Sequence, residues 1–224
     1  CGLFEGKRPS LPRLDGQKLK LLDLPYSRPE ALVGPNWLSQ HFGDPGVAIL
    51  DTSFFLPAAN RNPKIEFEAS HIPGAVFFDI NDVADKSMNL PHMLPSPETF
   101  ADKVGKLGIN RASHVICYDN NGGAMAAMRV FWTFKVFGHE KVSVLNIDFN
   151  NWKAQGYTIV SDDPNTVPVS YKGATFNSTL VRTLAQVLNN LNTGSEYFVD
   201  ARSPGRFNAT ELEPRPGLRG GHIP

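Results

Sequence analysis

The chain contains the same short pattern twice, in the same order and with similar spacing. The first copy is VAILD, ending at Asp51, followed by HIPG beginning at His71; the second is YFVD, ending at Asp200, followed by HIP beginning at His222. Asp51 precedes His71 by 20 residues, and Asp200 precedes His222 by 22. The two aspartates are 149 residues apart, much further than the roughly 20–50-residue units of solenoids. The repeat therefore predicts two related domains.

The length of 224 residues suits one complete domain and part of another, since domains cluster near 100–150 residues. We expect an N-terminal arm at 1–30, a first domain at 31–157, a linker at 158–175 and the start of a second domain at 176–224. The residues that follow His71 have no counterpart after His222. The second copy is therefore predicted to be incomplete in this sequence.

Charge and cysteine content exclude several classes of protein. Lys and Arg number 22 against 22 Asp and Glu, so no overall field favours a nucleic acid or an anionic membrane as partner. No apolar run approaches the roughly 18 residues of a transmembrane helix. The two cysteines, Cys1 and Cys117, do not make a disulfide framework. Cys117 lies in an apolar run and is predicted to be a buried, inert thiol.

Apolar runs alternate with amphipathic segments through the first domain. Short continuous apolar runs are typical of strands buried on both faces, and strands alternating with helices favour an α/β fold. We predict a mainly parallel sheet flanked by helices on both faces, with a long excursion at 53–70. Predicted strands are 47–50, 75–78, 114–118 and 142–145, and predicted helices are 35–42, 97–107, 124–137 and 151–155. In the second copy we predict a helix at 179–190 and a strand at 197–199.

The loop after the third predicted strand runs through Asp119, Gly122 and Gly123 into a helix. Backbone N–H groups of such a loop can bind an anion at the helix N-terminus. Asp119 is itself an anion and cannot act as a soft nucleophile, and the Lys-Ser/Thr of a phosphate-binding loop is absent. We predict that Asp119 caps the helix.

Two arginines of the second copy, Arg206 and Arg215, lie on loops rich in Pro and Gly after the predicted strand. Loop arginines suit bidentate binding of a carboxylate or another oxyanion. The alternative is a surface ion pair with Glu211 or Glu213, and the pattern leaves both open. Arg202 follows the strand directly and is predicted to form a structural salt bridge.

The histidines give weaker signals. His71 and His222 precede Ile-Pro in both copies, which is better explained by a structural turn than by one active site. His92 is a lone loop histidine, and such residues are usually structural or exposed. No grouping of His, Cys and Asp has metal-ligand spacing, so no metal is predicted.

Taken together, these stretches resemble the two-domain rhodanese-type sulfurtransferases, which act on 3-mercaptopyruvate or thiosulfate. The tandem repeat is then the duplication of that family. The stretches that carry the resemblance are Ile49–Ser53, Phe67–Ile80, Asp85–Ser87, Pro91–Ser96, Arg129–His139 and Asp200–Pro224.

The resemblance implies a catalytically silent first domain, whose Asp119 loop occupies the place of the active-site loop. The nucleophilic cysteine is implied in the matching loop of the second domain. Asp119 lies 48 residues after His71, and the same offset from His222 leads to position 270, beyond this sequence. Cys117 lies within a strand and does not replace it.

The resemblance also implies roles for residues that are present. Arg206 and Arg215 are expected to bind the carboxylate and carbonyl of the substrate, and Arg215 after Glu-Pro favours mercaptopyruvate. An acid/base relay is implied for a Ser of the catalytic loop, His92 and an Asp at position 81. Position 81 is Asn in this chain, and Asn cannot stabilise an imidazolium by charge.

The reaction implied is transfer of a sulfane sulfur through a cysteine persulfide, from a small-molecule donor to cyanide or a thiol such as thioredoxin or a small thiol. Neither a metal nor an organic cofactor, and neither a nucleic acid nor a membrane, is expected to take part. A mitochondrial or cytoplasmic location is expected. The alternative is a catalytically inactive rhodanese-like binding module. A cysteine-dependent phosphatase of related fold would need His-Cys-x5-Arg, which is absent.

Overall fold

The computed structural model of the chain describes residues 27–224 except 89, 123, 124, 165 and 216. Most of the predicted arm, and Cys1 with it, lies outside the described residues. Pro29–Ala31, at the boundary between the predicted arm and the first domain, form one 3-10 turn. In the part of the chain that the structure describes, no helix is long and apolar enough to cross a membrane.

The first repeat forms a five-stranded, entirely parallel sheet in the order β1-β5-β4-β2-β3. Four of these strands were predicted, each within one residue of its observed end. The strands are β1 Leu32–Val33, β2 Val47–Asp51, β3 Ala75–Phe77, β4 His114–Tyr118 and β5 Val142–Leu145. Because all the strands run in one direction, the loops after β2, β3 and β4 meet at the same edge of the sheet.

Helices cover both faces of the sheet, as predicted. Alternate residues of one strand enter opposite cores, because side-chain direction alternates along a strand: Ile49 packs on one side and Leu50 on the other. The first core faces α3 and α4, and the second faces α1, α2 and α5. These helices are α1 Pro35–His41, α2 Pro63–Ala69, α3 Pro97–Lys106, α4 Met125–Val136 and α5 Phe149–Ala154.

Helix α2 lies inside the excursion at 53–70, for which no helix was predicted. Its start is well marked, because Asn62 accepts hydrogen bonds from two backbone N–H groups and Pro63 occupies the first turn. Glu66 of this helix pairs with Arg61 at 2.5 Å and accepts a hydrogen bond from Asn120 at 3.1 Å. The excursion is thereby tied to the loop that follows β4.

Among the described residues, the second repeat contributes two α-helices after the linker. Helix α6, Leu184–Thr193, begins five residues later than predicted, because Thr183 forms a capping box with Gln186. A further turn of helix, α7, spans Pro204–Phe207 and includes Arg206, so the prediction of a loop for Arg206 is wrong. Ser203 accepts a hydrogen bond from the N–H of Arg206, and Pro204 occupies the first turn. The predicted strand at Tyr197–Val199 is wrong for this structure: the segment is irregular and exposed. A strand needs a hydrogen-bonded neighbour, and none of the described residues pairs with this segment.

Part of the predicted linker packs against the first repeat. Tyr171 is buried in the core under α3 and α4, and its hydroxyl bonds to His139 at 2.9 Å. The N–H of Val169 donates to the carbonyl of Gly105 at 2.9 Å. Val160 forms an antiparallel bridge with His71. The segment is therefore fixed to the first repeat at three places along its length.

Candidate active site

His92 lies in the loop between β3 and α3, at the edge of the sheet where the strands end. Its backbone is in the left-handed region, with φ 57°. Its ring packs edge-on against Phe54, which follows β2, with 4.8 Å between the ring centroids. Its carbonyl oxygen accepts a hydrogen bond from Nη2 of Arg129, on α4, at 2.5 Å. The residue is therefore held by contacts from two other segments.

The electrostatic surroundings of His92 favour the neutral imidazole. Burial is the largest cause that lowers its pKa below the usual value, and the positive charges of Arg215 and Arg129 lower it further. The carboxylate of Asp79 opposes them. Since an ordinary histidine titrates near 6.5, the His92 ring is mostly uncharged at pH 7. The Nδ1 atom is buried and has no hydrogen-bond partner among the described residues.

Arg215 brings the second repeat to this site. Its charge acts on the imidazole of His92, although the two residues are 123 positions apart. Its side chain is exposed, and no ion pair of the described residues includes it. The structure thus brings together two of the predicted site residues and leaves the guanidinium of one of them available to an anion.

Arg206, the other predicted substrate arginine, is paired with a carboxylate. Its Nε and Nη2 atoms donate to Glu213 at 3.2 and 2.6 Å. The side chain of Glu213 is 4% exposed and also accepts a hydrogen bond from Arg202 at 2.8 Å. Arg206, followed by Arg202, lowers the pKa of Glu213. The ion pair that the sequence left open is therefore present, and a role for Arg206 in substrate binding stays a prediction.

The structural salt bridge predicted for Arg202 is confirmed. Arg202 contacts Asp200 at 2.6 Å and donates to the carbonyl of Gly221 at 2.6 Å. The hydrogen bonds from its side chain and backbone lower the pKa of Asp200 to about 2. Arg202 therefore joins the end of the Tyr197–Asp200 segment to the residue before His222.

The loop after β4 in the first repeat carries a buried acidic cap. Asp119 is 1% exposed and accepts from the N–H groups of Ala127 at 2.8 Å and Asn121 at 3.2 Å, which confirms its predicted role as a cap of α4. Asp51 lies close by; burial is the main cause that raises its pKa, and Asp119 adds to the shift. Gly122 has φ 79°, and Gly123 lies outside the described residues.

A cleft of about 320 Å³ lies beside this loop. Glu66, Asp51 and Asn120 form part of its wall. Two cations, Arg61 and Lys153, also line the cleft. Arg61 is held by Glu66 and stacks over Phe55, 3.6 Å from the ring centroid, and Nζ of Lys153 lies 4.8 Å from the ring centroid of Phe149. The cleft therefore presents groups of both charges.

Cys117 is fully buried in β4, and burial raises the pKa of its thiol far above the usual value. Because the thiolate is the reactive form, the prediction of an inert thiol is confirmed. It packs in the core that faces α3 and α4.

The two repeated histidines have the same structural role. His71 stacks on Phe67 with 4.2 Å between ring centroids, and its Nδ1 lies 2.8 Å from the carbonyl oxygen of Phe67. His222 stacks on Phe207 at 3.8 Å, and its Nδ1 lies 2.8 Å from that residue's carbonyl oxygen. The structural interpretation of both histidines is therefore confirmed.

Arg129 is the residue at this site that sequence reasoning missed. The sequence signal was weak: Trp132 follows three residues later on the same helix, and the guanidinium lies 4.6 Å from its ring centroid. The contact with His92 joins α4 to a loop 37 positions away, and no spacing in the sequence indicates it.

Residues 34–155 match the family described as "Rhodanese-like domain". The match covers more than half of the chain, so the chain belongs to the rhodanese family. The parallel α/β fold and the resemblance to rhodanese-type sulfurtransferases are thereby confirmed.

Several curated relatives carry sulfurtransferase names. The 3-mercaptopyruvate sulfurtransferase of Mus musculus is 39% identical over 199 residues, covering 87% of this chain and 67% of the relative. The thiosulfate sulfurtransferase of Cricetulus griseus is 42% identical, covering 86% and 66%. The mitochondrial thiosulfate/3-mercaptopyruvate sulfurtransferase 1 of Arabidopsis thaliana is 39% identical, covering 88% and 57%. The chain thus spans between about half and two thirds of these relatives' lengths.

A solved structure gives the same picture. SseA from Escherichia coli, described as a 3-mercaptopyruvate sulfotransferase of rhodanese fold, superposes with a TM-score of 0.77 at 38% identity. The match covers 87% of this chain and 72% of that one. The similarity therefore extends beyond the residues of the first repeat.

Proposed function

We propose that this protein is a sulfurtransferase that moves a sulfane sulfur from 3-mercaptopyruvate, or from thiosulfate, to a thiol or cyanide. The observation that carries the proposal is that Arg215 of the second repeat is exposed, forms no ion pair among the described residues and has a charge that acts on His92 in the first repeat. The names of the relatives support the reaction, and favour an enzyme over an inactive binding module.

Arg215 supplies the recognition of the donor. Both donors are anions, and 3-mercaptopyruvate carries a planar carboxylate that a guanidinium can bind through two parallel hydrogen bonds. Arg215 has no carboxylate partner among the described residues, so binding a donor breaks no ion pair that the structure shows. Arg206 would first have to share or exchange Glu213. Arg215 is therefore proposed as the main anion ligand, and Arg206 as a supporting one.

The chemistry requires a nucleophilic cysteine, which we place in a segment equivalent to the part of the relatives that this chain does not span. Its thiolate attacks the sulfur of 3-mercaptopyruvate. An S–S bond forms while the C–S bond breaks, and the electron pair leaves with carbon as the enolate of pyruvate, which takes up a proton. An acceptor thiolate then attacks the outer sulfur of the persulfide, and the cysteine leaves as a thiolate.

The role of His92 in this scheme is limited by its neighbours. A neutral imidazole can accept a proton from a thiol, but Arg129 and Arg215 oppose its protonation. Asn81 carries no charge that would stabilise the imidazolium. We propose that His92 supports proton movement near the donor, and that the anion site contributes more to affinity than the relay contributes to rate.

The acceptor of the sulfur and the location of the protein form part of the proposal. We propose a thiol acceptor, thioredoxin or a small thiol, and a mitochondrial or cytoplasmic location; one relative bears "mitochondrial" in its name. Comparing persulfide discharge by reduced thioredoxin, glutathione and cyanide would rank the acceptors. Discharge by cyanide alone, with neither thiol reacting, would contradict a thiol acceptor.

The test is an activity assay of the full-length protein. We expect pyruvate release from 3-mercaptopyruvate with a thiol acceptor, and thiocyanate formation from thiosulfate with cyanide at a lower kcat/KM. Absence of both reactions would refute the proposal.

Substitution of Arg215 tests the binding step. Arg215→Ala should raise KM about 10–100-fold, the effect of one charge-assisted contact of roughly 1.5–3 kcal/mol. Arg219→Ala is the matched control, because Arg219 is an exposed arginine of the same loop and does not act on His92. Equal KM values for the two variants would contradict the role given to Arg215.

A further inference from the structure

Arg129 is a half-buried cation without a carboxylate partner among the described residues. Its Nη2 atom donates to the carbonyl oxygen of His92, and its guanidinium lies over the ring of Trp132. Its Nε atom is buried and has no partner in the described part of the chain. Buried guanidinium groups are usually paired with an anion, because burying an unpaired charge costs free energy. The contact between Arg129 and His92 is therefore kept although it is unfavourable for the guanidinium.

The contact with Arg129 holds the backbone of His92 in an unfavourable conformation. His92 has φ 57°, a region that residues other than glycine rarely adopt, and such a conformation persists only where surrounding contacts hold it. Arg129 holds the peptide group that follows His92, and Phe54 supports the ring from the other side. Together these contacts hold the backbone of His92 from α4 and its ring against Phe54.

We propose that Arg129 is a positioning residue for His92, holding its carbonyl oxygen so that the imidazole stays between Phe54 and the loop that carries Arg215. The proposal deepens the proposed function and rests on it only for the consequence in catalysis. The arrangement of His92 itself can be measured without any activity.

The charge of Arg129 gives the proposal a second readout. The charged groups that act on His92 are Arg129 on α4, Arg215 in the second repeat and Asp79 after β3. The two arginines lower the pKa of the imidazole and Asp79 raises it. Removing the guanidinium of Arg129 should therefore raise the pKa of His92, whereas a lysine at this position should keep it low.

The experiment compares three variants of the full-length protein: Arg129→Gln, Arg129→Lys and the control Arg111→Gln. Arg111 also donates to a backbone carbonyl, that of Phe137 at 3.3 Å, and lowers the pKa of a different histidine, His139. NMR titration of the imidazole signals gives both pKa values. Thermal unfolding of each variant shows whether the fold is kept.

We expect Arg129→Gln to raise the pKa of His92 and to leave His139 unchanged, and Arg111→Gln to do the reverse. Arg129→Lys should restore the low pKa of His92. In the activity assay, Arg129→Gln should lower kcat/KM about 10-fold or more, as loss of one charge-assisted hydrogen bond would. Its pH–rate profile should shift upwards with the pKa of His92, a change that a purely structural role would not cause.

The two proposals fail in different ways. An unchanged His92 pKa and an unchanged pH–rate profile in folded Arg129→Gln, with the wild type active, would overturn the positioning role. A wild-type protein without activity toward either donor, but with a His92 pKa that rises in Arg129→Gln and is restored by lysine, would overturn the proposed function and support the positioning role.

Discussion

Removing the carboxylate of Asp119 should destabilise the first repeat more than removing an ordinary helix cap. Asp119 accepts from the N–H groups of Ala127 and Asn121 and is 1% exposed. In Asp119→Ala the buried N–H of Ala127 loses its partner, at a cost of about 1–3 kcal/mol, and the N–H of Asn121 adds about 0.5–1 kcal/mol. Relief of repulsion with Asp51 returns a small part of this.

The two contributions sum to about 1.5–4 kcal/mol, and the relief of repulsion lowers the net loss slightly. For a protein of this size, a loss of about 1–4 kcal/mol corresponds to a fall in Tm of about 2–16 °C. Circular dichroism during heating measures the change, and the fluorescence of buried Trp152 reports on the same repeat.

Asp148→Ala is the matched control. Asp148 also caps a helix, accepting from the N–H of Asn151 at 2.7 Å, but the contact is exposed and water can replace it. Its loss should be about 0.5–1 kcal/mol. If Asp119→Ala lowers Tm no more than Asp148→Ala does, the argument from burial is wrong.

Two further substitutions test the packing and electrostatics of the first repeat. Asp51 has a raised pKa because it is buried, so the folded state holds its proton more tightly than the unfolded chain. The stabilising contribution of this raised pKa is present below the ordinary pKa of 3.8 and is lost as pH rises through the folded pKa. In urea unfolding, the free energy of unfolding of Asp51→Asn relative to that of the wild type should therefore increase as pH rises from about 4. A difference that does not change with pH would contradict this. In Gly105→Ala the added Cβ would lie 2.4 Å from the carbonyl oxygen of Val169. The segment around Val169 should therefore detach, and the free energy of unfolding should fall by about 1–3 kcal/mol. Unchanged stability, with unchanged proteolysis of that segment, would show that its packing is not needed.

Most of the first repeat could be predicted because its signals are local. A strand buried on both faces needs a continuous apolar run, and the runs that end at Asp51 and Tyr118 are of this kind. Helix starts were recognisable where Ser96 precedes Pro97. The same signal at Asn62-Pro63 was overlooked, and α2 was therefore missed although the sequence contained it.

In the second repeat, local sequence signals did not predict all of the structure correctly. The segment Tyr197–Val199 has the composition of a strand, but strand formation depends on a neighbour that composition does not reveal. The candidate site has the same limit. Arg206 has three nearby carboxylates in the sequence, and only the structure shows that Glu213 holds it. The contact between Arg129 and His92 is purely tertiary.

Both copies share the stacking of histidine on phenylalanine, but the chain between the two rings differs in length. Phe67 lies four residues before His71, whereas Phe207 lies fifteen residues before His222. The spacing from Asp to His grows only from 20 to 22 residues, so the second copy places its phenylalanine nearer to the Asp that ends the apolar run. The same ring contact therefore encloses three residues in the first copy and fourteen in the second, and Glu213 and Arg215 are among those fourteen.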